Sequence, residues 1–361
     1  MKCLVIPIGY INNNLSPVAR IKRLVTGFDN AAIYGQKEYQ VKNIKFYQSD
    51  DLKLNNYIIN SNNKKNIHSF DEYLYVYKMI NYSYAINEIK NILKVIDDYK
   101  PDVIFSYDNI YAIIASKIAN ITCYSSYSSF INKKQTVYPK AIICINKILS
   151  YYKLPQILCI ADLYDNVKYK FVYSSFDYQP IIDDNIIYVG YDNTYPVYEK
   201  NKVIVVSIAN SLISANKQLR VIKQTFKDSP YEVYIQNKNF VNQANIHSNN
   251  KLMLNNYLSK AIVFIHDGSN INTDLALNYH MNQIIITNSF DHHISNANMM
   301  IKNNCAFKLS ETLYNVKYLY ESFRALLDNN KYQTNIDALA KSLDLGGTNK
   351  IIETINGAVK K

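Results

Sequence analysis

Short continuous apolar runs alternate with amphipathic stretches along most of the chain, and that rhythm predicts strands and helices in turn. The run "CLVIPI", Cys3 to Ile8, has no polar interruption, which is the pattern of a strand buried on both faces. A loop from Gly9 to Leu15 follows, and then Val18, Ile21, Leu24 and Val25 fall on one helical face. Ser16 is placed to cap this helix and Pro17 suits its first turn. A second unit repeats the theme. Ile86, Ile89, Leu93 and Ile96 mark a helix ended by Pro101; Val103 to Tyr107 reads as a strand, "NIYAIIASKIAN" as a helix and "ITCYSS" as another strand. Strand, helix and strand in this order imply a parallel sheet. Asn43 to Ser69 is polar and rich in Asn and Lys, and reads as a long surface excursion beside that sheet.

The pattern restarts after "IIYVGYDNTYPVYEKN", where Gly190 and Pro196 mark a linker. "KVIVVSI" reads as a strand, "SLISANKQLRVIKQTF" as an amphipathic helix, "YEVYIQ" as a strand, "NNYLSKA" as a short helix and "AIVFI" as a strand. "QIIIT" is a further strand, with more helices beyond it. The expectation is an α/β chain of two doubly wound, Rossmann-like parallel-sheet domains facing across a cleft, one over residues 1–192 and one over 193–345. A last helix, 346–361, is expected to return to the first domain.

Composition narrows the function classes only partly. The 361 residues are enough for two full cores. No apolar stretch nears the roughly 20 residues that cross a bilayer. The first residues are too soon polar for a secretory signal, so a cytoplasmic protein is expected. Cys3, Cys123, Cys144, Cys159 and Cys305 are odd in number, far apart and without a CxxC pair, which suits reduced thiols rather than disulfides or zinc. The net charge of +11 suits an anionic partner, but the lysines are scattered and nucleic acid is supported by charge alone. Only residues 133–153, with Lys133, Lys134, Lys140, Lys147 and Lys153 among tyrosines, concentrate charge. That stretch is either a solvated helix and loop or a surface for peripheral membrane contact.

Chemistry concentrates at "HDGSNINTDLAL", His266 to Leu277, between two apolar runs. A helix that starts there after a strand offers unpaired amides and a positive dipole end, a natural anion site, with Gly268 permitting close approach and Ser269 and Asn270 adding donors. The dipole alone contributes about 0.3–2 kcal/mol, so tight binding of a diphosphate needs the side chains too. The same pattern also describes an ordinary capped corner.

From about Ile187 onward the chain resembles the nucleotide-sugar-binding half of glycosyltransferase family 1, the UDP-glycosyltransferase and macrolide-glycosyltransferase type with the GT-B fold. "YVGY" is similar to its linker, "VIVVSIANS" to V-x-V-S-x-G-S, and the His266 box to H-G-G-x-x-T-x-x-E-A-L. "NQIIITNSFDHHISNANMM" and "LGGTNKIIETI" resemble the boxes that follow. The resemblance implies that His266 contacts the donor diphosphate, with Gly268, Ser269 and Asn270 at the helix start and Ser207 and Asn210 in the facing loop. It implies that Asp274 holds the ribose, and that the Asp-Gln pair for sugar hydroxyls falls on Asp291 and His292 or on His292 and His293. Asp267 replaces a glycine of the pattern, and a carboxylate there would repel a diphosphate unless turned away. The resemblance also implies metal-independent chemistry and no cofactor beyond a UDP- or dTDP-sugar co-substrate. Adjacent His292 and His293 cannot face one way on a helix, which disfavours a metal centre.

The first half resembles the acceptor domain of that family more loosely, through "NNLSPVARIKRL" and "PDVIFSYD". Asn14 stands where the resemblance implies a catalytic His, and an amide cannot take a proton from an acceptor hydroxyl. General-base help is worth roughly 10² to 10⁴ in rate. Asp108, at the end of its strand, is the alternative base, although Asp also commonly caps the following helix. The function expected is inverting transfer of a sugar to an acceptor that is a small molecule, glycan or lipid. The alternative is a catalytically weak or inactive relative that binds a ligand or supports a partner; a nucleotide-sugar epimerase shares the fold but matches the boxes less.

Overall fold

The computed structural model describes residues 1–9, 15–50, 69–76, 78–132, 138–192, 199–208, 213–236, 244–248, 255–286, 291–310 and 312–359. The chain separates into two compact units, the first comprising Met1–Asn63, Ile67–Tyr191 and Leu345–Lys361, the second Asp192–Asp344.

In chain order the first unit contains β1 (Cys3–Pro7), α1 (Leu15–Thr26), β2 (Ala31–Gly35), β3 (Lys45–Gln48), α2 (Phe70–Val76), α3 (Tyr82–Tyr99) and β4 (Val103–Tyr107). It continues with α4 (Ile110–Ile118), β5 (Thr122–Ser126), α5 (Pro139–Tyr151), β6 (Lys170–Val172) and β7 (Ile186–Tyr188). Its seven strands are ordered β3-β2-β1-β4-β5-β6-β7 and all pair in parallel. β1, β2 and β4 are buried at every residue, which is why they appear in the sequence as largely apolar runs, with Ser106 of β4 the polar exception. The strand β3 breaks that rule. It lies inside the polar stretch expected to be a surface excursion; it is an edge strand that buries none of its residues fully, so no apolar pattern announces it. Residues 51–68 of that stretch lie outside the described residues.

Local signals set several boundaries. The helix α3 starts on an Asn81 side chain that accepts the Tyr84 amide, and it ends with Lys100 in the left-handed region (φ 52°) ahead of Pro101. The helix α1 opens at Leu15, one residue before the expected cap Ser16. In α5, Ala141, Ile142, Ile145, Ile148 and Leu149 are buried while Lys140 and Lys147 are exposed, as is Lys153 just beyond it, so the described part of the basic region is a solvated face of a packed helix. The last helix, Gly347–Val359, packs Ile351 and Ile355 against Val18, Ile21, Leu24 and Val25 of α1. Just past α1, a Cβ on Gly27 would run into Ile352 Cδ1 of the last helix.

The second unit contains β8 (Val203–Ser207), α6 (Ala215–Phe226), β9 (Glu232–Gln236), β10 (Ile246–Ser248), α7 (Asn255–Leu258), β11 (Val263–His266) and α8 (Asn270–Asn278). Then come β12 (Asn282–Ile286), α9 (Asp291–Lys302), β13 (Ala306–Leu309), α10 (Val316–Asp328) and α11 (Lys331–Ser342). Its six parallel strands are ordered β10-β9-β8-β11-β12-β13. Both sheets therefore run outward from their first strand and then reverse, which is the doubly wound order with a switch point between β1 and β4 and between β8 and β11. In such sheets the loops after the two strands at the switch point separate and leave a crevice at the strands' carboxyl ends.

All five cysteines are free; Cys144 is half-buried and the other four are buried. Among the described residues no helix is long and apolar enough to cross a membrane.

Candidate functional site

The switch point of the second sheet carries the corner that the sequence singles out. The strand β8 ends at Ser207 and β11 at His266, on paired neighbouring strands, and Asp267, Gly268 and Ser269 lead from β11 into α8. Gly268 is required there. Its φ is +78°, and a Cβ would lie 2.9 Å from both the His293 carbonyl oxygen and Ile285 Cγ2. Asn296 of α9 donates from Nδ2 to the Gly268 carbonyl at 2.9 Å, which ties the turn to that helix.

His266 is turned inward. It is 0 % exposed, its Nδ1 accepts the Gly268 amide at 3.0 Å, and its Nε2 meets Gln283 Oε1 at 3.1 Å. An accepting Nδ1 places the ring proton on Nε2, where it donates to Gln283. Burial pushes the imidazole down to about 4, against the opposing pull of Asp267 and Gln283, so the ring is neutral at physiological pH. In this arrangement neither ring nitrogen is left for a ligand. Both nitrogens serve the protein because β11 is an internal strand whose last side chain falls in the core. His266 shapes the turn rather than facing its opening.

The neighbouring Asp267 is only half-buried. Its Oδ1 accepts the Ser269 amide and Asn272 Nδ2, both at 2.9 Å, and its Oδ2 lies 3.6 Å from His293 Nδ1. Burial pushes this carboxyl up, but His293, the Ser269 amide, Asn272 and His266 together outweigh burial and hold it at about 2. An ionised carboxylate thus takes an amide that an anionic ligand would need. Ser269 caps α8 by accepting the Asn272 amide, and Asn272 Nδ2 reaches Ser207 Oγ at 3.5 Å, which joins the ends of β8 and β11.

The other expected donor-site residues divide. His293, buried on α9, reaches Asp267, and burial lowers its imidazole against the pull of that carboxylate. Asp274, on α8, is 6 % exposed. The side chains of Asn270, Asp291 and His292 lie outside the described residues, as do Asn210 and Asn14 altogether. Among the described residues no group of three or more His, Cys, Asp or Glu is placed to hold a metal ion.

In the first unit Asp108 follows β4 at that sheet's switch point. It is half-buried and in the left-handed region, with φ 55°. It is not the cap of α4. That role belongs to Asn109, whose Oδ1 accepts the amides of Tyr111 and Ala112 at 3.0 and 3.2 Å while its Nδ2 donates to the Pro7 carbonyl at the end of β1. Among the described residues Asp108 has one side-chain hydrogen bond: the Ser126 hydroxyl donates to Oδ1 at 2.6 Å. Burial raises its pKa, opposed by Ser126 and by the charge of Arg20. A partly buried carboxylate with a spare oxygen at a switch point is suited to accept a proton.

No family model matches the sequence, and no curated protein is similar to it. Solved structures do match its shape. A glycosyltransferase of kitacinnamycin superposes with a TM-score of 0.75 at 13% identity over 98% of both chains. The spinosyn forosaminyltransferase SpnP gives 0.74 at 12% over the whole of both. The spinosyn rhamnosyltransferase SpnG complexed with thymidine diphosphate gives 0.70 at 12% over 99% of this chain and 100% of its own.

The fold is GT-B. At identities this low the shared property is the path of the backbone, and within this GT-B chain the residues at the corner are its own. Sequence reasoning located the corner and named Asp267 as an anomaly, but it missed Asn272, Gln283 and Asn296. Gln283 had a usable signal: it is a polar residue one place inside the apolar run "QIIIT", and it is fully buried.

Proposed function

We propose that this GT-B chain is a glycosyltransferase that takes its sugar from a nucleoside-diphosphate donor at the β8–β11 corner. The observation that carries the reading is the convergence of Ser207, Ser269, Asn272 and the amino-terminal end of α8 at the switch point of the second sheet. Amide and hydroxyl donors gathered at a helix start are what a pyrophosphate requires. The neighbour SpnG, solved with thymidine diphosphate and also with spinosyn aglycone, supports a nucleoside-diphosphate sugar, dTDP- rather than UDP-linked, and a small-molecule acceptor. In this reading Asp108 takes the acceptor hydroxyl proton, the acceptor oxygen bonds to the anomeric carbon with inversion, and the bond to the nucleoside diphosphate breaks. The donor phosphates are held by this chain's own donors, without a divalent cation.

One observation favours a second reading, a weak or non-catalytic relative that binds a ligand. Asp267 puts a negative charge on the Ser269 amide, and a donor must displace it. Thermal-shift and calorimetric titrations with UDP- and dTDP-sugars, in EDTA and in magnesium, together with detection of released nucleoside diphosphate, separate the readings. Binding with turnover supports transfer, binding without turnover supports the second reading, and no binding of any nucleotide sugar removes both.

A further inference from the structure

A pocket opens at the carboxyl ends of β1, β2 and β3. It is lined by Ile8, Gly9, Gln36, Ser49 and Asp50, by Tyr34 and Tyr84, and by Glu88 of α3. It is open to solvent, about 260 Å³ with the solvent at its mouth counted, and its interior has room for about one water-sized group. The chain carries a net charge of +11, yet no Lys, Arg or His lines this pocket among the described residues.

Glu88 gives the pocket its character. It occupies the buried stripe of α3 between Ala85 and Ile89 and is itself 5 % exposed. Tyr34 OH donates to Oε2 at 2.9 Å, and Oε1 has no hydrogen-bond partner among the described residues. A carboxylate set this deep with one protein hydrogen bond leaves the rest of its bonding to what occupies the pocket. Asp50, exposed at the rim, holds one hydrogen bond, from Asn91, and its field bears on Glu88.

We propose that this pocket binds a primary ammonium group carried by a small ligand, with Glu88 Oε1 and Asp50 as its anionic partners and the rings of Tyr34 and Tyr84 beside it. An ammonium supplies the donors that Oε1 lacks and the charge that two neighbouring carboxylates call for, and aromatic faces add cation–π attraction. The narrow end fits –NH₃⁺ and excludes a trimethylated nitrogen. The inference rests on the first unit alone and is independent of sugar transfer.

Binding must depend on pH in a defined direction. Burial, with Asp50 adding to it and Tyr34 opposing it, pushes Glu88 up to about 7. The other groups facing it are Tyr34, Tyr84 and Tyr111, all raised further by burial and so neutral throughout this range. A cation binds the ionised form, so affinity rises roughly 30-fold from about pH 5.5 to about pH 8, as the ionised fraction does.

The test is ligand-observed NMR titration of the full chain with benzylammonium, with trimethylbenzylammonium and benzyl alcohol as comparisons. Benzylammonium is expected to bind with that pH dependence while the other two bind at least tenfold more weakly. Glu88→Gln is expected to lower its affinity at least tenfold and Asp50→Asn severalfold; because Asp50 is exposed, its variant leaves the fold intact whatever becomes of the first. Benzyl alcohol binding as well as the amine, or wild-type affinity in both variants, overturns the proposal. So does displacement of the amine by calcium chloride at a lower concentration than the amine itself needs, which would make the pocket a divalent-cation site.

Discussion

Replacing Asp267 by Asn tests whether an anion occupies the corner of the second sheet. The substitution keeps the shape of the side chain and its acceptor oxygen toward the Ser269 amide, and it removes only the charge. Two effects of opposite sense follow. The wild-type carboxyl is held at about 2 against an ordinary value near 3.8. Its folded pKa is depressed, so its contribution to stability is present above about pH 4 and is lost as pH falls through 2. That contribution is about 2 kcal/mol, which Asn forfeits at neutral pH. A phosphate oxygen taking the Ser269 amide, now 2.9 Å from Asp267 Oδ1, would lie about 5 Å from the displaced carboxylate. At an effective dielectric of about 20 the repulsion is roughly 3 kcal/mol, and about half that with screening at a partly open site. The variant should therefore be less stable by about 2 kcal/mol yet bind UDP or dTDP roughly 10- to 100-fold more tightly. Calorimetric titration at low and high salt, beside urea unfolding, reads both quantities, and the gain in affinity should shrink as salt rises. Unchanged or weaker nucleotide affinity in a folded Asn variant would show that no anion takes that amide, and the proposed donor site would fall with it.

Asp108→Asn should lower the rate of sugar transfer by roughly 10² to 10⁴ while thermal unfolding shifts little, because the cap of α4 is Asn109 and stays in place; an unaffected rate ends the proposal that Asp108 is the base. Gly268→Ala should cost about 2–4 kcal/mol in denaturant unfolding, from a left-handed backbone combined with two 2.9 Å clashes, and a change under 1 kcal/mol would contradict the packing at that turn. His266 is neutral when folded and protonates near pH 6.5 when unfolded. Its presence therefore removes stability as pH falls, about 2 kcal/mol between about pH 6.5 and pH 5, levelling off near its folded value of about 4. Urea unfolding at both pH values should show that slope in the wild type and its loss in His266→Gln.

Much of the fold was legible because parallel strands buried on both faces leave largely apolar runs. β1, β4, β8, β11 and β12 all announce themselves in that way. β3 and β10 do not, since both are short edge strands in which all residues of β3, and His247 and Ser248 of β10, are at least partly open to solvent and so free to be polar. The corner at His266 was legible as a place but not as an arrangement. Its turn needs Gly268 whatever the ligand, yet whether the imidazole or the carboxylate beside it faces the opening depends on which core neighbours claim each side chain. Glu88 shows the same limit from the other side. A charged residue inside the apolar stripe of α3 was visible, but nothing along the chain said that Tyr34 and Asp50 would close around it.

The sequence by itself determined the alternation of strand and helix, the restart at the second unit and the positions where chain direction reverses, because burial and turn chemistry act on residues close together in the chain. Tertiary structure alone decided the partners: Asp267 with His293, His266 with Gln283, Asp108 with Ser126, and Glu88 with Tyr34. Those pairs are set by the register of neighbouring strands and the seating of helices upon them. A periodic pattern records that a side chain is buried, whereas the charge it keeps and the proton it holds follow from what it is buried against.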